Sequence, residues 1–467
     1  MERLSAPAKI YRWLILGLVI IQLLGLIVPV NLAVLDAICA IGVFMLGLPH
    51  LSRSFQIATL VFFLAGLGLM ATTDLTVSHL AAAITSMVDI VALLVVMQLF
   101  LIPVTVGHYQ AAVEAFMQRH VHGPKQTYTF VMLVTHLLSS ILSMGTVAIV
   151  LSILGDSIRH QVKDSAHFAA TSVLRAFTLG TLWAPGAATI FLISTVTQVS
   201  WTRLFLPCLI LGLLGLILAY LMAHRQPYMR VQPVPSRSEP ATPVTAHAPL
   251  MGLVLAVLVL LGLSFVLMEK QVASSMDSVT LAGLVVVGGW LSLLGCRKAD
   301  SQAFKPVLRQ AGRTYWQRGL TGGAALAPFF VGIGTFTYGF EHSTLSPALT
   351  KALAPGFAHL GWGVIVLIPL IVVLVSLVGI HPLASVALIG KIIMTLHVAV
   401  SPLLIALSLN IGSVVAYMFS PFAGIVLIVA TLLNVHPATV SVRWNWRFSL
   451  TFLVLSLGVA TLLSFIF

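Results

Sequence analysis

The sequence predicts an all-α polytopic membrane protein, with about 11 transmembrane helices and two re-entrant hairpins arranged in two inverted repeats. The composition excludes a soluble domain. Hydrophobic residues make up 59% of the 467 residues and charged residues only 8%, whereas soluble domains carry about 25% charged residues. The apolar runs are long and continuous, so they favour helices of about 20 residues over the alternating strands of a membrane barrel.

The apolar runs form two series on either side of a Pro-rich linker. We expect a first transmembrane helix within 1–30, the first repeat at 31–223, the linker at 224–249 and the second repeat at 250–467. The linker carries six prolines and no apolar period, which is typical of a flexible cytoplasmic connection. Single crossings are predicted at 11–29, 31–48, 55–71, 84–106, 203–223, 250–268, 276–295, 319–339 and 446–466.

Four further apolar segments are interrupted by Gly or Pro. Segments 127–158 and 362–397 are broken at their centres and are predicted to be re-entrant hairpins. Segments 167–199 and 401–433 are too long for one crossing, and each contains a central proline motif that predicts a broken helix. Each half then has an odd number of full crossings. The second half therefore starts on the opposite side of the membrane, which makes the repeat inverted.

The basic residues agree with this topology. The excess of 24 Lys and Arg over 12 Asp and Glu could indicate nucleic-acid binding, but the basic residues lie in short loops between apolar segments. With the N-terminus cytoplasmic and the C-terminus outside, 19 of the 24 fall in cytoplasmic loops, as the positive-inside rule requires. We therefore expect a multi-pass protein of the cell (inner or plasma) membrane, without a nucleic-acid partner.

The four breaks predict one site near the middle of the membrane, because backbone that leaves the helix there needs polar partners. Half-helices that begin at a break offer N–H groups to an anion, and those that end there offer carbonyl groups to a cation. The predicted substrate-binding residues are Ser143, Gly145, Thr146, Pro185, Gly379, His381, Ser385 and Pro421. The predicted ion-binding residues are Ser143, Thr181, Ala184, Ser385, Asn410, Ser413 and Ser420.

The residue types at the breaks bear on the coupling ion. No Asp or Glu lies there, so carbonyl and hydroxyl oxygens favour Na⁺ over a carboxylate proton relay. His381 keeps H⁺ as the alternative, because histidine titrates near neutral pH. Any single Ser or Thr at a break could instead serve only to form a hydrogen bond to its own helix. The evidence for a binding site is therefore the cluster of these residues. We expect no catalytic residue, no cofactor and no metal beyond Na⁺.

Four ionisable residues lie in membrane segments away from the breaks. Arg175, in the first part of a broken helix, is expected to extend its side chain to the cytoplasm. Asp89 and Lys391 have similar predicted depths near the outer side, where they could pair. His136, in the first hairpin, is expected to be a packing residue.

This architecture resembles the ion transporter superfamily, which includes the divalent anion:sodium symporters and the arsenite and sodium/proton antiporters. The resemblance extends from the second crossing to the C-terminus. In the symporters the hairpin tips carry Ser-Asn-Thr. The matching tips here read Ser-Met-Gly-Thr at 143–146 and Gly-Ile-His-Pro at 379–382, so that a Ser and a Thr match and both asparagines are absent. The resemblance implies a homodimer with an elevator-like transport domain.

The resulting hypothesis is a secondary active transporter that moves a small anionic solute, a carboxylate or an oxyanion, coupled to Na⁺ or H⁺ by an elevator-like mechanism. The alternatives are an ion channel and a non-transporting membrane assembly or structural protein. An enzyme would need paired carboxylates or metal ligands at one depth, and the sequence has no such group. The expected partners are the solute, the coupling ion, the lipid bilayer and a second copy of the chain.

The hairpin prediction can be tested by the accessibility of single cysteines in a variant that lacks the three native ones. Lys163→Cys should react only from the cytoplasmic side and Val400→Cys only from the outside, because each hairpin returns to the side from which it enters. Labelling of the position-163 cysteine from outside alone, or of the position-400 cysteine from inside alone, would show that the topology is wrong.

Overall fold

The computed structural model describes residues 6–27, 32–72, 76–142, 145–230, 250–297, 301–358, 360–396 and 398–463. Within these ranges the chain is helical and forms no strand, so the predicted all-α fold is confirmed. Ser143, Met144 and most of the predicted linker lie outside the described residues.

The helices follow one another in two series. The first series is α1 (Ala6–Ile27), α2 (Ala33–Gly47), α3 (Arg53–Met70), α4 (Val77–Thr85), α5 (Val88–Met97), α6 (Leu101–Val106), α7 (Tyr109–His120), α8 (Pro124–Leu142), α9 (Gly145–Gln161), α10 (Ser165–Gly180), α11 (Ala188–Thr197) and α12 (Trp201–Ala223). The second is α13 (Met251–Glu269), α14 (Ser275–Arg297), α15 (Ser301–Thr314), α16 (Leu320–Gly323), α17 (Ala327–His342), α18 (Leu345–Ala358), α19 (Gly363–Leu377), α20 (Pro382–Thr395), α21 (Pro402–Phe419), α22 (Gly424–Leu433) and α23 (Trp444–Leu463).

Ten helical runs of the described chain are long and apolar enough to cross a membrane. They correspond to ten of the eleven predicted crossings. The eleventh, 167–199, is divided into α10 and α11, neither of which is long enough to qualify. A multi-pass membrane protein is thus confirmed, and 167–199 is divided into two helices, α10 and α11, where the sequence predicts a broken helix.

The segments predicted to be hairpins and broken helices pack as one group with the single crossings that follow them, α12 and α23. This group is here called the break helices (α8–α12 and α19–α23). In the first half, α8 and α9 both pack on α10; in the second half, α19 and α20 both pack on α21. Between the halves, α9 contacts α22 and α20 contacts α11. If α8–α11 are replaced by their counterparts α19–α22, and the reverse, the same pairs of contacts result, as expected for two related repeats. The side from which each hairpin enters the bilayer stays a prediction.

The remaining long helices form a second group, the frame helices (α1–α5, α13, α14, α16 and α17). Its closest contact is between α3 and α17, and small residues allow it. Gly332 lies against Thr59 O, and Gly339 lies against the backbone of Gly66, where an added methyl group would be 2.5 Å from Gly66 O. The two backbones therefore meet without side chains between them, which fixes α17 rigidly on α3.

Gly66→Ala should destabilise this contact, because its methyl group would lie 2.6 Å from Thr335 O and Phe336 N. We expect a loss of about 1–3 kcal/mol, as for other overpacked interiors, measured as a lower melting temperature of the purified protein. Gly68→Ala in the same helix is the control, since nothing lies within 4 Å of its added methyl group. Equal melting temperatures for the two variants would show that the α3–α17 contact is not this close.

Candidate functional site

A cavity of about 410 Å³ lies between the frame helices and the break helices. The frame side is formed by Leu94, Gln98, Gly322, Gly323, Ala325 and Leu326. The other side is formed by residues of α9, α10, α11, α20, α21 and α22. Both halves of the chain therefore contribute to one cavity, at the boundary between the two helix groups.

Three helices begin at the cavity wall. Gly145 is the first residue of α9, Ala188 is the first residue of α11, and Leu383 is the second residue of α20. The residue before α11, Ala187, has no side chain that could cap the helix. Because the first N–H groups of a helix have no partner within it, the starts of α9 and α11 present hydrogen-bond donors and partial positive charge. The start of α20 has the same partial charge, but Leu383 N is capped by the His381 side chain.

The polar side chains on the cavity wall are uncharged. They are Gln98, Thr181, Thr189 and Tyr417, and the hydroxyls of the last two lie 3.4 Å apart. Thr181 was predicted as an ion ligand, but its hydroxyl already donates to Thr178 O at 2.7 Å. The other three were missed by sequence reasoning, although Gln98 is an amide inside a long apolar run and could have been singled out.

Each break is held by the hairpin that precedes it. Gly186 N donates to Ser140 O at 3.1 Å, at the end of α8. In the second half, Ser420 Oγ donates to Ser376 O at 2.7 Å, at the end of α19. A methyl group on Gly186 would lie 2.9 Å from Ser140 O, so this close approach requires glycine. The breaks that contain Pro185 and Pro421 are thus tied to the two hairpins in corresponding ways.

Several predicted site residues have buried polar atoms without a hydrogen-bond partner among the described residues. These atoms are Thr146 Oγ1, Asn410 Oδ1 and Ser413 Oγ. The amide nitrogen of Asn410 is occupied, because it donates to Leu182 O at 2.8 Å in the first break. Its oxygen therefore has a fixed orientation, and it lies one helical turn from Ser413. Unpaired buried oxygens are uncommon in proteins and are suited to a ligand.

His381 lies at the tip of the second hairpin, directly before α20. Its Nδ1 accepts a hydrogen bond from Leu383 N at 3.2 Å, so the proton of the neutral ring is assigned to Nε2. Nε2 is buried without a partner, and a methyl group on Gly424 would lie 3.9 Å from it. The ring contacts Phe55 of α3, with centroids 4.1 Å apart, and Tyr417. His381 therefore presents a donor to the second break and touches a frame helix.

The other predicted residues take structural positions around the breaks. Gly379 has φ +104, which favours glycine at the hairpin tip. Ser385 Oγ lies 3.4 Å from both His381 O and Ser376 Oγ. Ala184 is buried in the first break, where its N–H donates to Gly180 O. Of all the predicted site residues, Gly145 and Thr181 line the cavity itself, and a binding role for the rest stays a prediction.

Two interpretations of ionisable residues are wrong. Arg175 does not extend to the cytoplasm: it is 4% exposed, and its Nε donates to Asn445 Oδ1 at 2.8 Å, because the start of α23 offers oxygen acceptors beside α10. Lys391 does not pair with Asp89. It forms an ion pair with Glu341 at the end of α17, because α20 packs against that helix.

Asp89 and His136 lie elsewhere. Asp89 lines a pocket together with Asp36 and Asp277. The ring of His136 bridges α8 to the first break: Nδ1 lies 3.2 Å from Ala176 O, and Nε2 accepts a hydrogen bond from Trp183 Nε1 at 3.1 Å. His136 is therefore neutral and structural.

The fold is similar to that of a known transporter. The chain matches a crystal structure of the YdaH transporter of Alcanivorax borkumensis, which is described as having an unusual topology. The TM-score is 0.53, the match covers 86% of this chain and 97% of the other, and 14% of the residues are identical. No protein-family model and no curated protein matches the chain. At this identity the likeness concerns the fold, which is a multi-pass membrane fold.

Thr146→Val should change stability and binding in opposite directions. The hydroxyl is buried and unpaired, so its removal should leave the melting temperature unchanged or raise it, because a buried group without a partner costs about 1–3 kcal/mol. The same change should weaken binding of the solute or its coupling ion. Thr135→Val is the control, since that hydroxyl is bonded to Val131 O. Parallel losses of stability and binding in Thr146→Val would contradict a ligand role.

Proposed function

We propose that the protein is a secondary active transporter of a small anionic solute, a carboxylate or an oxyanion. The observation that carries this proposal is the cavity at the boundary between the frame and break helices, where three helices begin. Broken helices that meet at one cavity are a property of secondary transporters. A fold shared with a protein described as a transporter supports the same class.

The charge of the solute is inferred from the cavity wall. The described wall residues carry no charged side chain, whereas the first turns of α9 and α11 offer N–H donors; in α20, Pro382 has no N–H and Leu383 N is bonded to His381. The His381 Nε2–H group is a further donor near the second break. A small anion satisfies such donors without bringing a counter-charged side chain into the membrane. A neutral solute would leave the partial charge of the helix ends uncompensated.

The coupling ion is proposed to be Na⁺, with H⁺ as the alternative. The unpaired oxygens of Thr146, Asn410 and Ser413 are the hard ligands that Na⁺ prefers. No carboxylate belongs to the described cavity wall, which disfavours a carboxylate relay for protons. Uptake of an anion against a negative interior costs about 2.3 kcal/mol per charge per 100 mV, so co-transport of cations is a natural solution.

An elevator-like movement of the break helices against the frame helices is the proposed mechanism. The second hairpin contacts the frame at two described places. The ring of His381 packs on Phe55 of α3, and Lys391 pairs with Glu341 of α17. These side-chain contacts can be exchanged during a sliding motion, unlike the backbone contacts within each group. A homodimer is proposed from the family resemblance, and a cytoplasmic N-terminus in the cell membrane is proposed from the distribution of the basic residues.

Transport should be tested by uptake of radiolabelled monocarboxylates, dicarboxylates and sulfate into proteoliposomes. We expect one class to accumulate in response to an inward Na⁺ gradient. Accumulation that persists without Na⁺ and disappears when the pH gradient is collapsed would show that the coupling ion is H⁺ and not Na⁺. A conductance that follows the solute gradient alone would indicate a channel, and uptake of none of the anions would refute the proposed solute class.

Substitutions at three predicted site residues should lower the binding affinity, whereas a control substitution should not, when all are measured under the same conditions. Asn410→Ala and Ser143→Ala should each weaken solute or ion binding, because each removes a polar contact worth about 0.5–1.5 kcal/mol. Pro421→Ala should impair binding by allowing α21 to continue into α22. Thr59, which is buried between α3 and α17, supplies the control Thr59→Val. Wild-type affinity in all three test variants would show that the site lies elsewhere.

A further inference from the structure

A row of basic side chains lies on α15, the helix that leads into α16 and α17. Lys305, Arg309 and Arg313 follow one another at intervals of four residues, so they share one face of the helix, and all three are exposed. None of them forms an ion pair with a described residue. The sequence contains no Asp or Glu from 301 to 340. The three residues, here called the basic row, therefore form an uncompensated positive face.

The opposite face of α15 is held against the rest of the protein. Val307 and Ala311 line a cavity of about 370 Å³ together with residues of α6, and α15 packs on that helix. Directly after α15, the hydroxyl of Tyr315 donates to Val95 O of the frame helix α5 at 3.0 Å. The helix is therefore fixed to the frame, with the basic row turned away from the protein.

A pair of tryptophans marks the depth of this helix in the membrane. Trp316, three residues after Arg313, packs edge-on against Trp13 of α1, with ring centroids 5.1 Å apart, and Trp13 is 63% exposed. Tryptophan is enriched where the hydrocarbon meets water. The apolar run Phe304–His342 covers 39 residues, whereas about 20 suffice to cross the hydrocarbon. Part of this run therefore lies outside the hydrocarbon, and the charges assign that part to α15.

The basic row begins at the level of the tryptophans and continues away from the hydrocarbon. At 1.5 Å per residue, Arg313, Arg309 and Lys305 lie about 5, 11 and 17 Å from Trp316 along the helix. The headgroup layer on one side of a bilayer is about 5–8 Å thick, so the long side chains of the two arginines reach it. Lys305 lies within about one Debye length of the same layer. All three charges therefore act on the lipid phosphates.

We propose that the basic row of α15 binds anionic phospholipids through their phosphate groups, at a surface separate from the solute cavity. Guanidinium groups bind phosphate in a bidentate manner, and clusters of basic residues beside a membrane crossing attract anionic lipids. A zwitterionic lipid has the same phosphate, but its ammonium group would meet the positive row. Because α15 is fixed to the frame, the bound lipids would anchor the frame helices in the bilayer. This inference does not depend on the transported solute.

Native mass spectrometry of the full-length protein tests the proposal, with phosphatidylglycerol and phosphatidylcholine of identical acyl chains titrated into a mild detergent. The wild type should bind phosphatidylglycerol in preference, and less of it as the salt concentration rises. Each basic residue near the membrane contributes about fivefold to the affinity. The triple variant Lys305→Gln, Arg309→Gln, Arg313→Gln should therefore bind on the order of 100-fold more weakly, and Arg309→Gln alone about fivefold more weakly.

The matched control is the triple variant Lys125→Gln, Arg203→Gln, Lys351→Gln, which removes three exposed basic residues from three other helices. It should keep the lipid preference, and all variants should melt like the wild type in phosphatidylcholine. Equal binding of the two lipids by the wild type would overturn the proposal, as would an equal loss in the control variant. Displacement of phosphatidylglycerol by millimolar inorganic phosphate or glycerol phosphate would overturn it in favour of a soluble phosphate ligand.

Discussion

The need to satisfy backbone hydrogen bonds inside a membrane determines the arrangement of the break helices. Where α10 stops, the N–H group of Gly186 finds its acceptor at Ser140. Where α21 stops, Ser420 finds its acceptor at Ser376. Both acceptors are carbonyls at the end of a hairpin arm, and Ser376 O also accepts from Gly379 N at 3.3 Å at the hairpin tip. Each interruption thus supplies the groups that the other requires, and a hairpin and its broken helix form one unit.

The two helix groups differ in how they are held together, and this difference locates the cavity. Within the frame, glycines bring the backbones of α3 and α17 into contact. Between the groups, the described contacts are made by side chains, such as the ring of His381 on Phe55 and the ion pair of Lys391 with Glu341. Side-chain contacts can be exchanged at lower cost than close backbone packing. In the proposed mechanism, the cavity at this boundary opens and closes as these side-chain contacts are exchanged.

The sequence predicts best those features of the structure that are caused by neighbouring residues in the chain. Clustered proline and glycine inside an apolar run favour an interruption of the helix, so the breaks near Pro185, Gly379 and Pro421 could be recognised directly. Single prolines such as Pro207 and Pro369 lie inside continuous helices. Partners of charged side chains could not be recognised, because they depend on which helices become neighbours. Lys391 was assigned to Asp89 by predicted depth, but α20 packs beside the end of α17 and so meets Glu341.

The candidate site shows the same division between local and tertiary causes. Asn410 is predicted because it belongs to the cluster of hydroxyls and amides at the breaks, yet its contact with Leu182 O in the other half follows only from the packing of α21 on α10. Gln98 is also an amide but was passed over, because its helix has no Gly-Pro motif and reads as an ordinary crossing. Its place on the cavity wall depends on the frame helices being one side of the site.

The arrangement of donors and acceptors gives a physical basis for coupling in the proposed transporter. Helix ends and the His381 Nε2–H group favour negative charge, whereas the unpaired oxygens of Thr146, Asn410 and Ser413 favour positive charge. An anion alone would leave those oxygens without a cation, and a cation alone would face the positive helix ends. Each ion therefore binds better when the other is present, and this mutual stabilisation is reciprocal by thermodynamic necessity. A site without charged side chains can couple two ions because each becomes the counter-charge of the other.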